Sequence, residues 1–206
     1  MTPFITFLIA SVVLAVTPGP GVAYVIARTV AGGRNEGLAS CLGTAVGGML
    51  HVLAAVLGLS LLIAQSAMAF NLVKYVGAAY LLYLGFRMLL SQKQVVNSIQ
   101  VASQGPRRAF WEGIVVEALN VKTALFFLAF LPQFTSPSQP LIPQLLAMGS
   151  FCVFLNTAVD VLAVFAAGRL LQSEAVRATR ARLLTRVSGV TLIGLGGYLA
   201  LARREG

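Results

Sequence analysis

The chain has 206 residues, of which 58% are hydrophobic and only 10% are charged, a balance that excludes a water-soluble domain of this length. Its net charge of +9 does not indicate nucleic-acid binding, because most basic residues lie at or between the ends of apolar segments, in alternate loops. The composition therefore predicts an integral membrane protein in a lipid bilayer.

Six apolar segments follow one another along the chain. Each is near the roughly 20 residues that a helix needs to cross about 30 Å of hydrocarbon. The predicted spans are Phe4 to Ile26, Leu38 to Ile63, Phe70 to Leu90, Glu112 to Leu131, Ile142 to Gly168 and Leu183 to Ala202. No basic n-region precedes the first segment, so we expect a retained span and not a cleaved signal peptide. The fold class is therefore all-α, with six transmembrane helices.

The distribution of Lys and Arg predicts the orientation of these helices. Basic residues concentrate in two wide loops, residues 91–111 and 169–186, and in the turn at residues 27–37. These are the connections after spans one, three and five, which are expected to be cytoplasmic. The connections at residues 65–71 and 132–143 carry no basic residue, so they and both termini are predicted to be periplasmic.

The two halves of the chain share weak but ordered similarities. The matching pairs are LAVTP at residues 14–18 with LAFLP at 128–132, TAV at 44–46 with TAV at 157–159, and Gly77 and Gly85 with Gly189 and Gly197. Because each copy would hold three spans, the copies must face in opposite directions, which is the inverted-repeat plan of secondary transporters. We predict two inverted three-helix repeats, residues 1–92 and 111–206, joined by a cytoplasmic loop at 93–110 in one transmembrane domain.

The stretch TPGPG interrupts the first apolar segment. Pro18 and Pro20 have no backbone donor, and Gly19 and Gly21 add backbone freedom, so the helix is expected to break here. A break inside lipid is tolerated only where it packs in protein or lines a wet cavity. These four residues and the hydroxyl of Thr17 are therefore candidates for substrate binding, with the helix that restarts near Gly21 as a seat for a substrate carboxylate. The alternative is a proline kink that serves packing alone.

The fourth span contains a second concentration of polar side chains. Glu117 and Asn120 are three residues apart and share a helix face, whereas Lys122 points elsewhere. Polar and charged side chains at this depth are costly, so Asn120 and Lys122 are predicted to bind substrate and Glu117 is a candidate for proton coupling. The alternatives are that Lys122 extends to the interface and that Glu117 lies in water.

Asp160, the only aspartate of the chain, is the first candidate for a proton carrier. It lies in the middle of the fifth span, four residues after Asn156 on the same helix face, and Asn156 is predicted to bind substrate. A carboxylate at this depth can be neutralised by a proton and can release it when water or a cation arrives. The alternative is an inert packing acid, either neutral or paired with Lys122.

His51, the only histidine, is a third candidate for proton coupling, since imidazole titrates near neutral pH. The alternative is a hydrogen-bonded packing residue. His51 shares a stripe of the second span with Thr44 and small residues, and Gly43 and Gly47 form a GxxxG pattern. This pattern predicts that another helix approaches the second span closely.

Other classes of chemistry find little support in the sequence. One His and two distant Cys provide no metal-ligand cluster, and no cofactor motif is present. A membrane enzyme is not expected, because one aspartate cannot form an aspartyl protease pair and no nucleophile motif accompanies the histidine. Cys41 and Cys152 are expected to be small buried side chains. The alternative is a thiol-disulfide electron carrier that uses these two cysteines.

Four ordered motifs carry a resemblance to a known family. They are TPGPG at residues 17–21, GTAVGGMLH at 43–51, VGAAYLLYLGFRML at 76–89 and NVKTALFFLAFLPQF at 120–134. Together they resemble the LysE/RhtB family of amino-acid exporters over nearly the whole chain. The resemblance implies a six-helix protein of the bacterial inner membrane that exports amino acids or close derivatives, driven by the proton gradient. Pro18, Pro20, Asn120, Lys122 and Asp160 fit the family's pattern.

Three departures from the pattern bear on the substrate. This chain has Gly21 and Gly48 where the family usually or often has an acid, and Val121 between Asn120 and Lys122 where the family has proline. Fewer fixed negative charges disfavour a cationic amino acid, so we predict a neutral amino acid or a neutral derivative. A homodimer is expected only by analogy with other small six-helix bundles.

Overall fold

The structure of the chain is a computed structural model. It describes residues 2–17, 19–65, 67–90 and 102–170, together with residues 186, 189, 190, 193, 194, 196, 197, 200 and 201. Its bounded elements are α1 (Thr2–Val16), α2 (Pro20–Gln65), α3 (Ala67–Leu90), α4 (Pro106–Ala118), α5 (Val121–Leu125), a π-helical turn (Phe126–Phe130), a 3-10 turn (Leu131–Phe134) and α6 (Leu141–Leu170). The described residues are all helical or irregular, with no strand among them.

The first predicted span is broken where the sequence indicates. Helix α1 ends at Val16, and α2 begins at Pro20, where the fixed φ of proline suits a first helical position and its missing donor costs nothing. Helix α2 then continues through the predicted cytoplasmic turn and the second span as far as Gln65. It consists of two helices that meet at Gly33, whose φ of 77° and ψ of −168° lie outside the helical region. Glycine adopts this backbone conformation without strain.

Helices α3 and α6 agree with the third and fifth predicted spans within a few residues. The fourth span was predicted as one helix from Glu112 to Leu131, and this prediction is wrong in two respects. Helix α4 begins earlier, at Pro106, and the chain breaks after Ala118 before α5 begins. The loop at 91–101 and most of the sixth span and its preceding loop lie outside the described residues, so the six-span, two-repeat arrangement stays a prediction.

Two helical stretches of the described part are long and apolar enough to cross a membrane, Pro20–Gly58 and Leu141–Ala167. The pair Pro106–Ala118 and Val121–Phe134, bent by 45°, makes a third if it is counted as one span. The first of these stretches, at 39 residues, is about twice the length that one crossing requires, which agrees with its interruption at Gly33.

The described helices expose large apolar side chains, and their interior combines an apolar core with buried polar and charged side chains. Large apolar residues such as Phe4, Leu57, Leu72, Phe154 and Leu162 each expose more than half of their surface. The buried polar and charged residues include Ser11, Thr44, Glu117, Asn120, Lys122 and Asp160. Such a distribution suits a bundle surrounded by lipid, where polar groups must find partners within the protein.

The second half of α2 packs so closely on α4 that the backbones of the two helices approach each other at glycine residues. A Cβ atom added to Gly47 would lie 2.7 Å from the backbone oxygen of Ile114, and one added to Gly113 would lie 2.9 Å from the backbone oxygen of Ser40. A Cβ atom at Gly43 would collide with the backbone oxygen of Phe110. The close helix approach that was predicted from Gly43 and Gly47 is therefore confirmed, with α4 as the partner.

We expect Gly43→Ala to lower the melting temperature of the purified protein, because the new methyl group meets backbone and α2 and α4 must separate. Overpacking of this kind costs about 1 to 3 kcal/mol. Gly58→Ala, in the same helix, is the matched control, since a Cβ atom there has nothing within 4 Å. Equal melting temperatures for the two variants would contradict the described packing of α2 on α4.

Candidate functional site

The first helix break leaves the end of α1 facing the start of α2. Thr17 closes α1, and both its amide and its hydroxyl donate to the backbone oxygen of Val13, at 2.9 and 2.6 Å. At the start of α2, the amide of Ala23 donates to the backbone oxygen of Gly19 at 3.0 Å. The amides of the first helical turn precede this bond, and the positive end of the helix dipole lies there.

The second break lies between α4 and α5. Asn120 has an extended backbone, with φ −75° and ψ 96°, and its side-chain oxygen accepts a hydrogen bond of 3.2 Å from the amide of Lys122. An asparagine in this position caps the new helix, which is why the chain can restart without a proline. The side-chain amide of Asn120 donates to Glu117 Oε2 at 3.0 Å. The hydroxyl of Thr123 donates to Glu117 Oε1 at 2.7 Å.

His51 stabilises the same break from outside the site. Its Nε2 lies 2.7 Å from the backbone oxygen of Glu117, one of the carbonyl groups at the end of α4. A carbonyl oxygen can only accept, so Nε2 carries the proton and donates. The structure thus gives His51 a capping contact, and the proton-coupling role predicted for it stays a prediction.

Lys122 connects the two breaks. Its Nζ donates to the backbone oxygens of Leu14 and Thr17, at 3.2 and 2.9 Å, and so binds the carbonyl end of α1 from the start of α5. The side chain is buried, and a Cβ atom at Gly19 would lie only 3.0 Å from Nζ. The alternative in which Lys122 extends to the membrane interface is therefore wrong, because its amine is held inside the protein.

A polar cavity of about 30 Å³ lies where the two breaks meet. Seven of the predicted site residues line it, namely Gly19, Gly21, Glu117, Asn120, Lys122, Asn156 and Asp160. Thr17, Pro20 and His51 are not among its lining residues, and Pro18 lies outside the described residues. The cavity has room for about two or three water molecules, since a single water needs about 10 to 15 Å³ by the same kind of measure.

Asp160 enters the cavity from α6 with one oxygen bound and one free. The hydroxyl of Thr44 lies 3.1 Å from Asp160 Oδ2, whereas Oδ1 is buried without a hydrogen-bond partner among the described residues. No ion pair joins Lys122 to Asp160 or to Glu117 in the described part of the chain. The alternative in which Asp160 is neutralised by pairing with Lys122 is therefore not observed.

Three hydroxyl residues that line the cavity, Thr44, Thr123 and Thr157, were not predicted as site residues. Thr44 reaches Asp160 from α2, and Thr123 binds Glu117 from α5. Thr44 had a signal, since it lies on the His51 stripe and within the TAV motif that recurs in the second half. Thr123 had none, because its contact with Glu117 depends on the break at Asn120.

A buried ion network lies at the connection that was predicted to be cytoplasmic. Arg28, before the Gly33 break, pairs with Glu112 of α4 and lies 3.9 Å from Glu36 Oε2. Its Nε also donates to the hydroxyl of Tyr24 at 3.2 Å. Arg28 and Glu36 are both almost fully buried, which the sequence did not indicate for charges in a polar turn.

Glu36 holds the segment that leads into α4. Its Oε1 accepts hydrogen bonds from the hydroxyl of Ser103 at 2.6 Å and from the amides of Gln104 and Gly105 at 3.0 and 2.7 Å. The hydrogen bond from Ser103 is the main reason why the pKa of Glu36 lies below its ordinary value; burial opposes it, and the two amides and Arg28 lower it further. Glu36 lies in the turn between predicted spans.

This lowered pKa predicts a pH-dependent stability. The ionised Glu36 stabilises the fold fully above its ordinary pKa of 4.5, and this contribution is lost as the pH falls through the lower pKa of the folded protein. At pH 7 we expect the free energy of unfolding of purified Glu36→Gln to be lower than that of the wild type by about 1 to 3 kcal/mol. This difference should shrink below pH 4.5. A difference that stays constant from pH 7 to 3.5 would contradict the contacts of this carboxylate.

Lys122→Met should also lower the melting temperature, because it leaves the backbone oxygens of Leu14 and Thr17 without their donor in the protein interior. Each unpaired buried carbonyl costs about 1 to 3 kcal/mol. Arg108→Met is the control for loss of a positive charge, since Arg108 is exposed and its ion pair with Glu112 contributes little. A variant at Lys122 that melts with the wild type would show that the two breaks are not held together by this side chain.

The two cysteines lie in different parts of the core. Cys152 packs in the cluster around Phe126 and Phe130, with its Sγ 3.3 Å from the hydroxyl of Ser11, whereas Cys41 packs with Val25 and Val164. Both are free and buried. The alternative of a thiol-disulfide carrier therefore gains no support from their positions. Among the described residues, no three His, Cys, Asp or Glu side chains cluster as metal ligands.

Comparison with known proteins agrees with the resemblance found in the motifs. The chain is 29% identical over 153 residues, 74% of each chain, to a protein of Salmonella typhimurium (strain LT2) named homoserine/homoserine lactone efflux protein. A protein of the same name from Salmonella typhi is 28% identical over 200 residues, which is 96% of this chain and 95% of the relative. An uncharacterized membrane protein of Vibrio cholerae serotype O1 is 26% identical over 203 residues, 97% of each chain.

No solved structure matches the chain. The sequence model of the family described as LysE type translocator matches residues 12–203, nearly the whole length. This match covers both helix breaks and every candidate residue named above. The chain belongs to the LysE family of translocators.

Proposed function

We propose that this protein is a secondary transporter that exports amino acids or close derivatives from the cytoplasm, in exchange for protons. Membership of a translocator family supports transport of a small molecule across a membrane. The observation that carries the proposal is the polar cavity at the meeting point of two broken helices, inside a bundle with an apolar exterior. Broken helices around a central site are how secondary transporters expose backbone and charge to a substrate within the bilayer.

Asp160 is the proposed proton carrier. The Thr44 hydroxyl has a single proton, which can go either to the backbone oxygen of Cys41 at 3.0 Å or to Asp160 Oδ2 at 3.1 Å. With Asp160 ionised, Thr44 donates to it; with Asp160 protonated on Oδ2, the carboxyl donates to Thr44, and Thr44 turns to Cys41. Both charge states therefore find partners in the same geometry, as a group that loads and unloads a proton requires.

The substrate is proposed to be neutral overall. Two relatives are named for efflux of homoserine and homoserine lactone, and both names denote small amino compounds. Gly21 and Gly48 contribute no acid to the cavity, and among its described lining residues the cation Lys122 offsets one of two carboxylates, those of Glu117 and Asp160. Asn120, which caps α5, and Asn156 of α6 both line the cavity and provide uncharged hydrogen-bonding groups.

The cavity must open for the substrate to enter. At about 30 Å³ it has room for water molecules but not for an amino acid. In the proposed cycle, the two predicted repeats move relative to each other, and the cavity opens first to the cytoplasm and then to the periplasm. We place the protein in the bacterial inner membrane, with the connections after spans one, three and five in the cytoplasm and the termini outside, as a monomer or a homodimer.

The function is tested with purified protein in liposomes and an imposed pH gradient. The panel of labelled compounds is L-homoserine, homoserine lactone, L-leucine and L-lysine. We expect gradient-driven uptake of a neutral amino acid, with a rate reduced at least about 100-fold in Asp160→Asn, because the amide cannot carry a proton. Preferred transport of L-lysine would contradict the neutral substrate, and transport that stays coupled to the gradient in Asp160→Asn would contradict the proton role.

The control variant is Cys41→Ser/Cys152→Ser, which we expect to transport at the wild-type rate. Both thiols are buried away from the cavity lining, so their removal should leave the site unchanged. Loss of activity in this variant, with a normal melting temperature, would support the alternative of a thiol-disulfide carrier.

A further inference from the structure

The positive end of α2 is already occupied by a carboxylate of the chain itself. A Cβ atom added to Gly21, the second residue of α2, would lie 2.6 Å from Glu117 Oε2. The carboxylate of Glu117 therefore lies against the first turn of α2, where the helix dipole stabilises negative charge. The sequence had predicted that a substrate carboxylate would bind at this place, which would bring two negative groups together.

Glu117 is held firmly in this position. Asn120 donates to its Oε2 and Thr123 donates to its Oε1, and the side chain is 7% exposed. Each carboxylate oxygen can accept more than one hydrogen bond, so both keep acceptor capacity toward the cavity that Glu117 lines. Within the described part of the chain, no ion pair neutralises this carboxylate.

The other charged groups of the cavity favour a cation in the same place. Asp160 lines the cavity, is 5% exposed, and its Oδ1 has no partner among the described residues. Lys122 donates two of its three Nζ protons to the backbone oxygens of Leu14 and Thr17. The cavity therefore offers unused acceptors on two acids and at most one unused charged donor, which is suited to a ligand with an ammonium group.

We propose that Glu117 binds the ammonium group of the substrate, and that Gly21 is required because a side chain there would displace the carboxylate. The inference rests on the proposed function, and it places the ammonium group beside Gly21, where the sequence had predicted the carboxylate. The ammonium group lies at Glu117, with Asp160 near it, and the carboxyl end of the substrate points toward the remaining donor of Lys122. Glu117 and Gly21 together determine that the transported molecule has a free amino group.

The test uses pairs of compounds in which a hydroxyl group replaces the ammonium group of the amino acid. Uptake of labelled L-homoserine into liposomes is measured with unlabelled L-homoserine or 2,4-dihydroxybutanoate, its hydroxyl analogue, as competitor. L-Leucine and 2-hydroxy-4-methylpentanoate form the second pair. The wild type is expected to prefer the amino compound of each pair. Glu117→Gln is expected to raise the KM for L-homoserine by about 10-fold to 100-fold, as for loss of a charge-assisted hydrogen bond. In this variant, the ratio of the affinity for the amino compound to the affinity for its hydroxyl analogue should fall toward one.

Two glycine variants separate recognition from folding. Gly21→Ala should raise the KM for the amino compound in the same way, because the methyl group displaces Glu117 Oε2. Gly58→Ala, also in α2 but beyond the Gly33 break and in open space, should leave the KM unchanged. The double variant Gly21→Asp/Glu117→Ala returns a carboxylate to the same point from the opposite wall, and it should restore at least about a tenth of the preference for the amino compound.

Each outcome has one meaning. If the wild type transports none of these amino compounds, the proposed function fails and the inference fails with it. If it transports them and Glu117→Gln, at a normal melting temperature, keeps its preference for the amino compound, only the inference is overturned. Loss of coupling to the pH gradient with the preference retained would instead make Glu117 a proton carrier, which also overturns it.

Discussion

The need of interior carbonyl groups for donors determines how this protein is built. Where α1 and α4 end inside the bundle, their last carbonyls have no partner in their own helices, and the surrounding lipid offers none. Lys122 supplies donors to Leu14 and Thr17, and His51 supplies one to Glu117. Because Lys122 belongs to the helix that restarts after the second break, capping the first break also fixes the distance between the two, and the cavity is the space that remains.

The same arrangement links substrate binding to proton binding in the proposed transporter. Glu117 and Asp160 line one cavity of about 30 Å³, so a substrate ammonium and a proton cannot neutralise them independently. A ligand shifts a conformational equilibrium only by its difference in affinity between the states. Two acids that bind either an ammonium group or a proton provide such a difference, because either cation relieves the same repulsion between the two carboxylates.

Sequence reasoning located the first break and most of the cavity, because the signals there are local. Proline and glycine at residues 18–21 are incompatible with a regular helix, and an aspartate or lysine in an apolar span is costly unless it has a role. The break at Asn120 was missed, since Val121 gives no helix-breaking signal and asparagine caps a helix only if the backbone is already extended. The burial of Glu36 was missed because its donors lie 67 to 69 residues away in the chain.

Buried charges lie on both sides of the Gly33 break, which the sequence did not indicate. Arg28 lies before this break and Glu36 after it, and both are buried against the segment that leads into α4. In the proposed cycle, opening of the cavity toward the cytoplasm requires α2 and α4 to separate at this end. Water would then solvate these charges and the Arg28 to Glu112 pair, which offsets much of the lost interaction. The network therefore restrains the end that is predicted to be cytoplasmic without locking it, since charges can exchange protein partners for water.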